Sequence, residues 1–290
     1  MDTKDILIHP KTKKAAEQYL KTPTQVLTLI GPEGAGKRFF ALKLAAKLLD
    51  KADLSNESRL ITITRQDDKK EIAIDAVRML IKTLRLKQPG QSIRVVFIDE
   101  ADRLSQEAQN ALLKTLEQPN SDTLFILSVS DASRLLPTVF SRTQKLIIHP
   151  VDKEQAEAYF SKNASAEEVR RAWMLSEGYV GQLSVLLGDD ELQPLKNAVG
   201  LAKKFLASSR YERLLEVDSL SKDREQTLGL LTGLARILKS LHHSNIRNGR
   251  QNVSFKILNA RKLVKESQTA INANASAKAV LLKLILNLQV

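Results

Sequence analysis

The architecture of this chain hangs on Leu27-Thr28-Leu29-Ile30-Gly31-Pro32-Glu33-Gly34-Ala35-Gly36-Lys37-Arg38. Gln25 to Ile30 is largely apolar and reads as a buried strand. A glycine-rich turn follows, and Lys37 to Leu49 reads as a helix. Strand, glycine loop and helix in that order is the setting in which G-x-x-x-x-G-K, met here by Gly31, Gly36 and Lys37, cradles phosphates. Glycines allow positive-φ turns, so successive amides converge on one anion, and the helix N-terminus adds partial positive charge. The candidate nucleotide-binding residues are therefore Gly31, Pro32, Glu33, Gly34, Ala35, Gly36 and Lys37, with Arg38 next to them. At that next position the pattern wants a Ser or Thr hydroxyl to hold Mg²⁺. Arg38 cannot ligate a cation and would repel one. Without a ligand the same stretch is a plain strand-to-helix turn, but the flanking elements favour the phosphate reading.

Downstream, Leu60-Ile61-Thr62-Ile63-Thr64 reads as a second strand and Arg65 to Lys70 as a charged loop. Ile74, Val77, Leu80, Ile81 and Leu84 recur at three- and four-residue spacing, which predicts a helix from Ile72 to Leu86, ended by Gln88-Pro89-Gly90. Ile93 to Glu100 carries four consecutive apolar residues and predicts a central strand of a parallel sheet. Asp99 and Glu100 close it, at the strand end where open α/β sheets bind ligands. In a nucleotide hydrolase Asp99 orients Mg²⁺ and Glu100 polarises the attacking water as general base. An apolar run followed by Asp-Glu is by itself equally a helix cap and a surface acid; the glycine loop upstream tips the balance. A helix capped by Ser105 and stopped by Pro119 follows. Thr123 to Ser130 is a further buried strand, Leu135 to Thr143 a short helical turn, and Lys145 to Ile148 a last strand.

Ahead of the first strand, Lys11 to Leu20 reads as a short helix with Lys11, Lys13 and Lys14 on a solvated face. Beyond residue 150 the pattern is helical: Lys153–Phe160, Ala166–Met174, Val180–Leu187, Leu192–Leu206, Tyr211–Leu220, Arg224–Leu241, Val253–Ile271 and Ala277–Leu288. Breaks fall at Asn248-Gly249 and Asn272-Ala273-Asn274. His242 and His243 lack partners at metal spacing and read as surface residues.

Composition narrows the classes. The chain has 290 residues, 43% hydrophobic and 27% charged, as an ordinary globular protein does. It contains no cysteine, which excludes a disulfide scaffold and a cysteine-ligated zinc site. No apolar run approaches a membrane span, and Met1-Asp2-Thr3-Lys4-Asp5 does not open a signal peptide, so the cytoplasm is expected. The net charge is +12. Residues 1–150 hold 24 Lys/Arg against 18 Asp/Glu, residues 151–200 hold 5 against 9, and residues 201–290 hold 16 against 6. That balance favours a polyanionic partner, though a solvated basic surface accounts for it equally well.

The motifs together resemble the clamp-loader branch of the AAA+ ATPases. The resemblance rests on Gly31–Lys37, on Val95–Glu100 with Ala101-Asp102, on Asn110-Ala111-Leu112-Leu113-Lys114-Thr115-Leu116-Glu117-Gln118-Pro119, and on Leu136-Pro137 through Ser141-Arg142-Thr143. The family's usual forms are DEAD or DEAH, NALLKTLEEP and LP…SRC, with Thr143 here in place of the cysteine. Val77 to Leu84 is similar to the family's VR-x-LI-x-x-L.

This resemblance implies an α/β fold: a parallel-sheet P-loop core over residues 1–150, a small helical lid over 151–190 and an all-α oligomerising collar over 191–290. It implies that Arg142 acts as an arginine finger on the γ-phosphate held by a neighbouring subunit, since a guanidinium neutralises charge in phosphoryl transfer. The family's lid motif G-S-x-R aligns with Gly178-Tyr179-Val180-Gly181, so Gly181 replaces a nucleotide-sensing arginine. A finger phrase beside a damaged nucleotide site is similar to the delta-prime type of loader subunit, in a version without zinc. The implied partners are other clamp-loader subunits in a hetero-oligomer, a sliding clamp and primed DNA, with no membrane. The implied cofactor is ATP or ADP, cradled without a strong Mg²⁺ position. Two alternatives stay open: a self-sufficient ATPase subunit in which Lys37, Asp99 and Glu100 are catalytic, and a DNA-binding helical protein on a relic ATPase fold.

Overall fold

The computed structural model describes residues 6–66, 69–85, 93–188, 194–247 and 251–288. The chain divides into two compact units, one of residues 1–156 with 179–181, the other of residues 157–178 with 182–290.

The first unit is built on five parallel strands, β1 (Val26–Ile30), β2 (Leu60–Ile63), β3 (Arg94–Ile98), β4 (Thr123–Val129) and β5 (Gln144–Ile147). Their order across the sheet is β2-β3-β4-β1-β5. Helices α1 (Pro10–Lys21), α2 (Lys37–Leu48), α3 (Ile74–Arg85), α4 (Gln106–Glu117) and α5 (Pro137–Phe140) complete it. Every residue of β3 and β4 is buried, while the edge strands β2 and β5 are partly open. The continuous apolar runs in β3 and β4 follow from burial on both faces. Side chains alternate between two cores, as a period of two requires. Val96, Ile98, Phe125 and Leu127 join Val77, Leu80 and Leu112 on one face. Val95, Phe97, Ile126, Leu27 and Leu29 join Tyr19, Phe40 and Leu44 on the other.

The expected strands all form, with ends shifted by a residue or two. One helix starts later than its periodicity suggests: Ile72 leaves α3 to make a parallel bridge with Leu104, and the helix begins at Ile74. A buried apolar residue satisfies a helical stripe and a strand bridge alike, so spacing could not separate them. The Gln88-Pro89-Gly90 stop lies outside the described residues. At the amino end Lys11 and Lys14 are exposed and Lys13 is half-buried.

The second unit is helical: α7 (Ala166–Ser176), α9 (Pro194–Ala207), α10 (Arg210–Leu220), α11 (Arg224–Arg247), α12 (Gln251–Asn272) and α13 (Ala277–Asn287). The helices α6 (Lys153–Phe160) and α8 (Val180–Leu187) straddle the boundary. Leu230, Leu231, Leu234 and Leu238 of α11 form the centre of its core, with Phe205, Val264, Ile271, Leu281 and Leu284 around them. Ser165 with Glu168, and Ser209 with Glu212, make complete capping boxes at the starts of α7 and α10. Arg213 donates to the carbonyls of Phe205 and Leu206 at the end of α9, at 2.7 and 2.9 Å. α11 runs to Arg247 rather than stopping at Leu241. His242 is half-buried rather than a surface residue, and His243 and the Asn248-Gly249 break lie outside what is described. Among the described residues no helix is long and apolar enough to cross a membrane, and no cluster of acids and histidines could hold a metal ion.

Candidate functional site

Parallel strands bring the ends of β1, β3 and β4 to one edge of the sheet, because β4 pairs with β1 on one side and β3 on the other. The glycine loop leaves β1 there, Asp99 and Glu100 leave β3, and Ser130 leaves β4. Gly34 and Gly36 take φ of 73° and 91°, the left-handed region the loop requires. Gly36 is the residue before α2, which starts with no side-chain cap and no acid in its first turn. Lys37 and Arg38 occupy that turn, where two cations oppose the helix dipole.

Lys37 is 8% exposed. Its Nζ donates to Gly31 O at 2.7 Å, Pro32 O at 2.8 Å and Ser130 Oγ at 2.9 Å, which uses all three ammonium protons. Burial lowers its pKa below the ordinary lysine value, against the opposing pull of Asp102, Asp99, Glu33 and Glu100.

Asp99 is equally committed. Ser128 donates from Oγ to its Oδ1 at 2.6 Å, the Glu100 amide reaches the same oxygen at 3.2 Å, and Arg38 Nη1 reaches Oδ2 at 3.1 Å. Glu100 sits at φ 52°, in the left-handed region, and its Oε2 accepts from Arg65 Nε at 2.9 Å. Arg65 is itself held by the carbonyls of Gln66 and Lys69. Asp102 is buried and accepts from the amides of Ser130 and Asp131, both at 3.2 Å.

This donor set does not fit Mg²⁺. The hydroxyl that would ligate it is absent, Asp99 has donors on both oxygens, and a guanidinium stands beside it.

Gly181 falls in the first unit with Tyr179 and Val180. A Cβ added at Gly181 would lie 2.5 Å from Gly34 O and 2.7 Å from Gly36 N. No side chain fits there while the loop keeps this shape, so an arginine at 181 and this closed loop exclude each other.

Arg142 stands apart from that cluster. It follows α5 and precedes β5, whose Gln144 pairs with Leu27, at the start of β1. The phosphate loop leaves the other end of β1. Four residues of strand separate the two levels, roughly 13 Å of sheet. Arg142 is exposed, with Nη2 2.8 Å from Glu117 Oε1 and Nη1 donating to Thr138 O at 2.6 Å.

The structure thus brings Lys37, Arg38, Asp99 and Glu100 together and leaves Arg142 on the opposite edge. Sequence reading missed Arg65, which it took for part of a charged loop, and Ser128, Ser130, Asp102 and Glu117. Asp102 and Glu117 lie in the phrases that carry the family resemblance but received no role there.

Residues 9–152 match the family model described as DNA polymerase III, delta subunit. The replication factor C small subunit of Picrophilus torridus is 33% identical over 144 residues, covering 49% of this chain and 43% of that protein. Its counterpart in Methanothermobacter thermautotrophicus is 28% identical over 210 residues, covering 71% of this chain and 61% of the relative. The chain therefore spans less than two thirds of the length of the curated relatives it matches. Among solved structures, a DNA polymerase III gamma subunit-related protein from Thermotoga maritima superposes with a TM-score of 0.53 at 18% identity, covering 95% of this chain and 97% of that one. At that identity the likeness is one of fold.

Proposed function

We propose, from the similarity of residues 9–152 to DNA polymerase III and replication factor C subunits, that this chain is a delta-prime-like subunit of a bacterial DNA polymerase III clamp loader of the AAA+ family. In that role it lends an arginine to a neighbour's ATP and hydrolyses none of its own. The observation that carries the reading is the placement of Arg142. It lies at the edge of the sheet away from the chain's own phosphate loop, exposed and held by two surface partners. An arginine so placed can reach nucleotide only on another molecule.

The chain's own loop supports the same reading. The two acids that would orient a metal and a water are each paired to an arginine of the same chain. A general base tied to Arg65 is poorly placed to polarise water.

The proposed partners are the ATP-binding loader subunits and, through the assembly, a sliding clamp and primed DNA. The test is a reconstituted loader in which this subunit carries Arg142→Ala. The expected result is an intact assembly whose clamp-stimulated ATP hydrolysis is lost. An intact assembly with unchanged turnover removes the assignment.

A further inference from the structure

The phosphate loop presents a contradiction. Its first helical turn carries two cations and no cap, an arrangement that calls for an anion. Yet the side chains of Lys37, Arg38, Asp99 and Glu100, which would meet a nucleotide or its metal, already have partners within the first unit. Lys37 spends its three protons on two loop carbonyls and Ser130. Asp99 receives Ser128, the Glu100 amide and Arg38. Glu100 receives Arg65. The backbone at Gly181 lies against Gly34 and Gly36, so close that a single added carbon would strike both.

We infer that the loop is a closed, ligand-independent element in which the chain's own groups take the places of metal and nucleotide. Arg38 is the built-in counter-ion of Asp99 and stands in for a divalent cation. Asp99 in turn is an acid that faces the two cations in the first turn of α2. Gly181 covers the glycine turn from above. The Arg38 and Gly181 departures are then two halves of one change. An arginine after the lysine removes the metal, and a glycine at 181 lets backbone close over the loop that metal and nucleotide have left. This inference deepens the proposed function, because it states why this subunit's site is silent. It does not depend on the finger: if the loop proves to bind nucleotide, the role of Arg142 still stands or falls on its own variant.

The experiment is thermal unfolding of the full chain alone, with MgATP, with ATP in EDTA, and with Mg²⁺ only. A site saturated about 100-fold above its Kd would raise the midpoint by about 5 °C or more. The expected wild-type midpoint moves by less than about 1 °C in all three conditions, well inside that margin. A rise of the larger size with either nucleotide preparation overturns the inference. Gly181→Ala is expected to lower the midpoint, since its methyl meets backbone; an unchanged midpoint overturns the closure. Arg38→Ser is expected to make the midpoint rise with Mg²⁺, because Asp99 then loses its paired guanidinium and gains a neighbouring hydroxyl. Arg38→Lys, which keeps the charge, is expected to stay indifferent to Mg²⁺. A Ser variant that ignores Mg²⁺, or a Lys variant that responds to it, overturns the part assigned to Arg38.

Discussion

Two arginine–carboxylate pairs in the first unit invite comparison: Arg38 with Asp99, and Arg142 with Glu117. Their distances are alike, 3.1 and 2.8 Å. Their surroundings are not. Asp99 is 15% exposed and takes further hydrogen bonds from Ser128 and the Glu100 amide, while Arg38 is itself 59% exposed, so the contrast lies in the carboxylates. Glu117 is 43% exposed, and its arginine 39%. Exposed pairs contribute about 0–1 kcal/mol, so a polyphosphate can take Arg142 from Glu117 at little cost. Asp99 is different, because stripping its arginine leaves a largely buried carboxylate short of a cation. One carboxylate is exposed beside its arginine; the other is largely buried and further hydrogen-bonded. The same pairing differs in strength according to how far the carboxylate is buried and what else it touches.

Arg142→Ala is the largest expected break in this comparison. A trans arginine contributes on the order of 10³-fold or more to hydrolysis, so the assembled loader should lose that much turnover. Steady-state ATPase measurements check it, with size-exclusion chromatography to show that assembly survives.

Lys37→Met tests the other pole. It should leave the assembled loader's turnover within about threefold while costing this subunit about 1–3 kcal/mol, because two loop carbonyls lose a charged donor. Denaturant unfolding measures the loss. A collapse of turnover in a folded Lys37→Met assembly would return the loop to the catalytic machinery.

The same lysine predicts a pH dependence. Its folded pKa is depressed below the ordinary 10.5 by burial. Between those two values the unfolded chain holds more protons than the folded one, so stability rises with pH across that interval. The rise should be present in the wild type and absent in Lys37→Met, read as unfolding midpoints from pH 8 upward. Parallel pH profiles for the two proteins would show that Lys37 is not buried in solution.

Glu117→Gln is the smallest expected change. Removing an exposed ion pair should alter loader turnover by no more than about fivefold, and added salt should erase the difference between variant and wild type. A loss as deep as that of Arg142→Ala would mean that Glu117 fixes the finger's orientation rather than merely holding it at rest.

Much of the first unit was legible in the residue order. The runs Val95–Ile98 and Leu124–Val129 announce strands buried on both faces, and Gly31, Gly36 and Lys37 announce the loop between strand and helix. The partnerships were not legible. Arg38 and Asp99 lie 61 residues apart, and Arg65 and Glu100 35 apart, so no local pattern joins them. Arg65 sits in a run of charges whose solvated and paired readings look the same in sequence. In the second unit the Leu stripes of α11 told of a buried face but not of which helices cover it. An amphipathic stripe specifies that a face is buried and leaves its partner open.

The sequence by itself determined the parallel α/β class, the loop with its missing hydroxyl, and the Ser141-Arg142 phrase. Each of these is written in nearest neighbours and short periods. Only the tertiary structure decided that β1 lies between β4 and β5, which sets Arg142 and the phosphate loop on opposite edges of one sheet. It alone placed Arg38 on Asp99 and backbone at Gly181 over the loop. The physical reason is that strand order and ion pairing depend on which buried faces and charges meet through space. A chain records the need for such partners locally and identifies them only once it is folded.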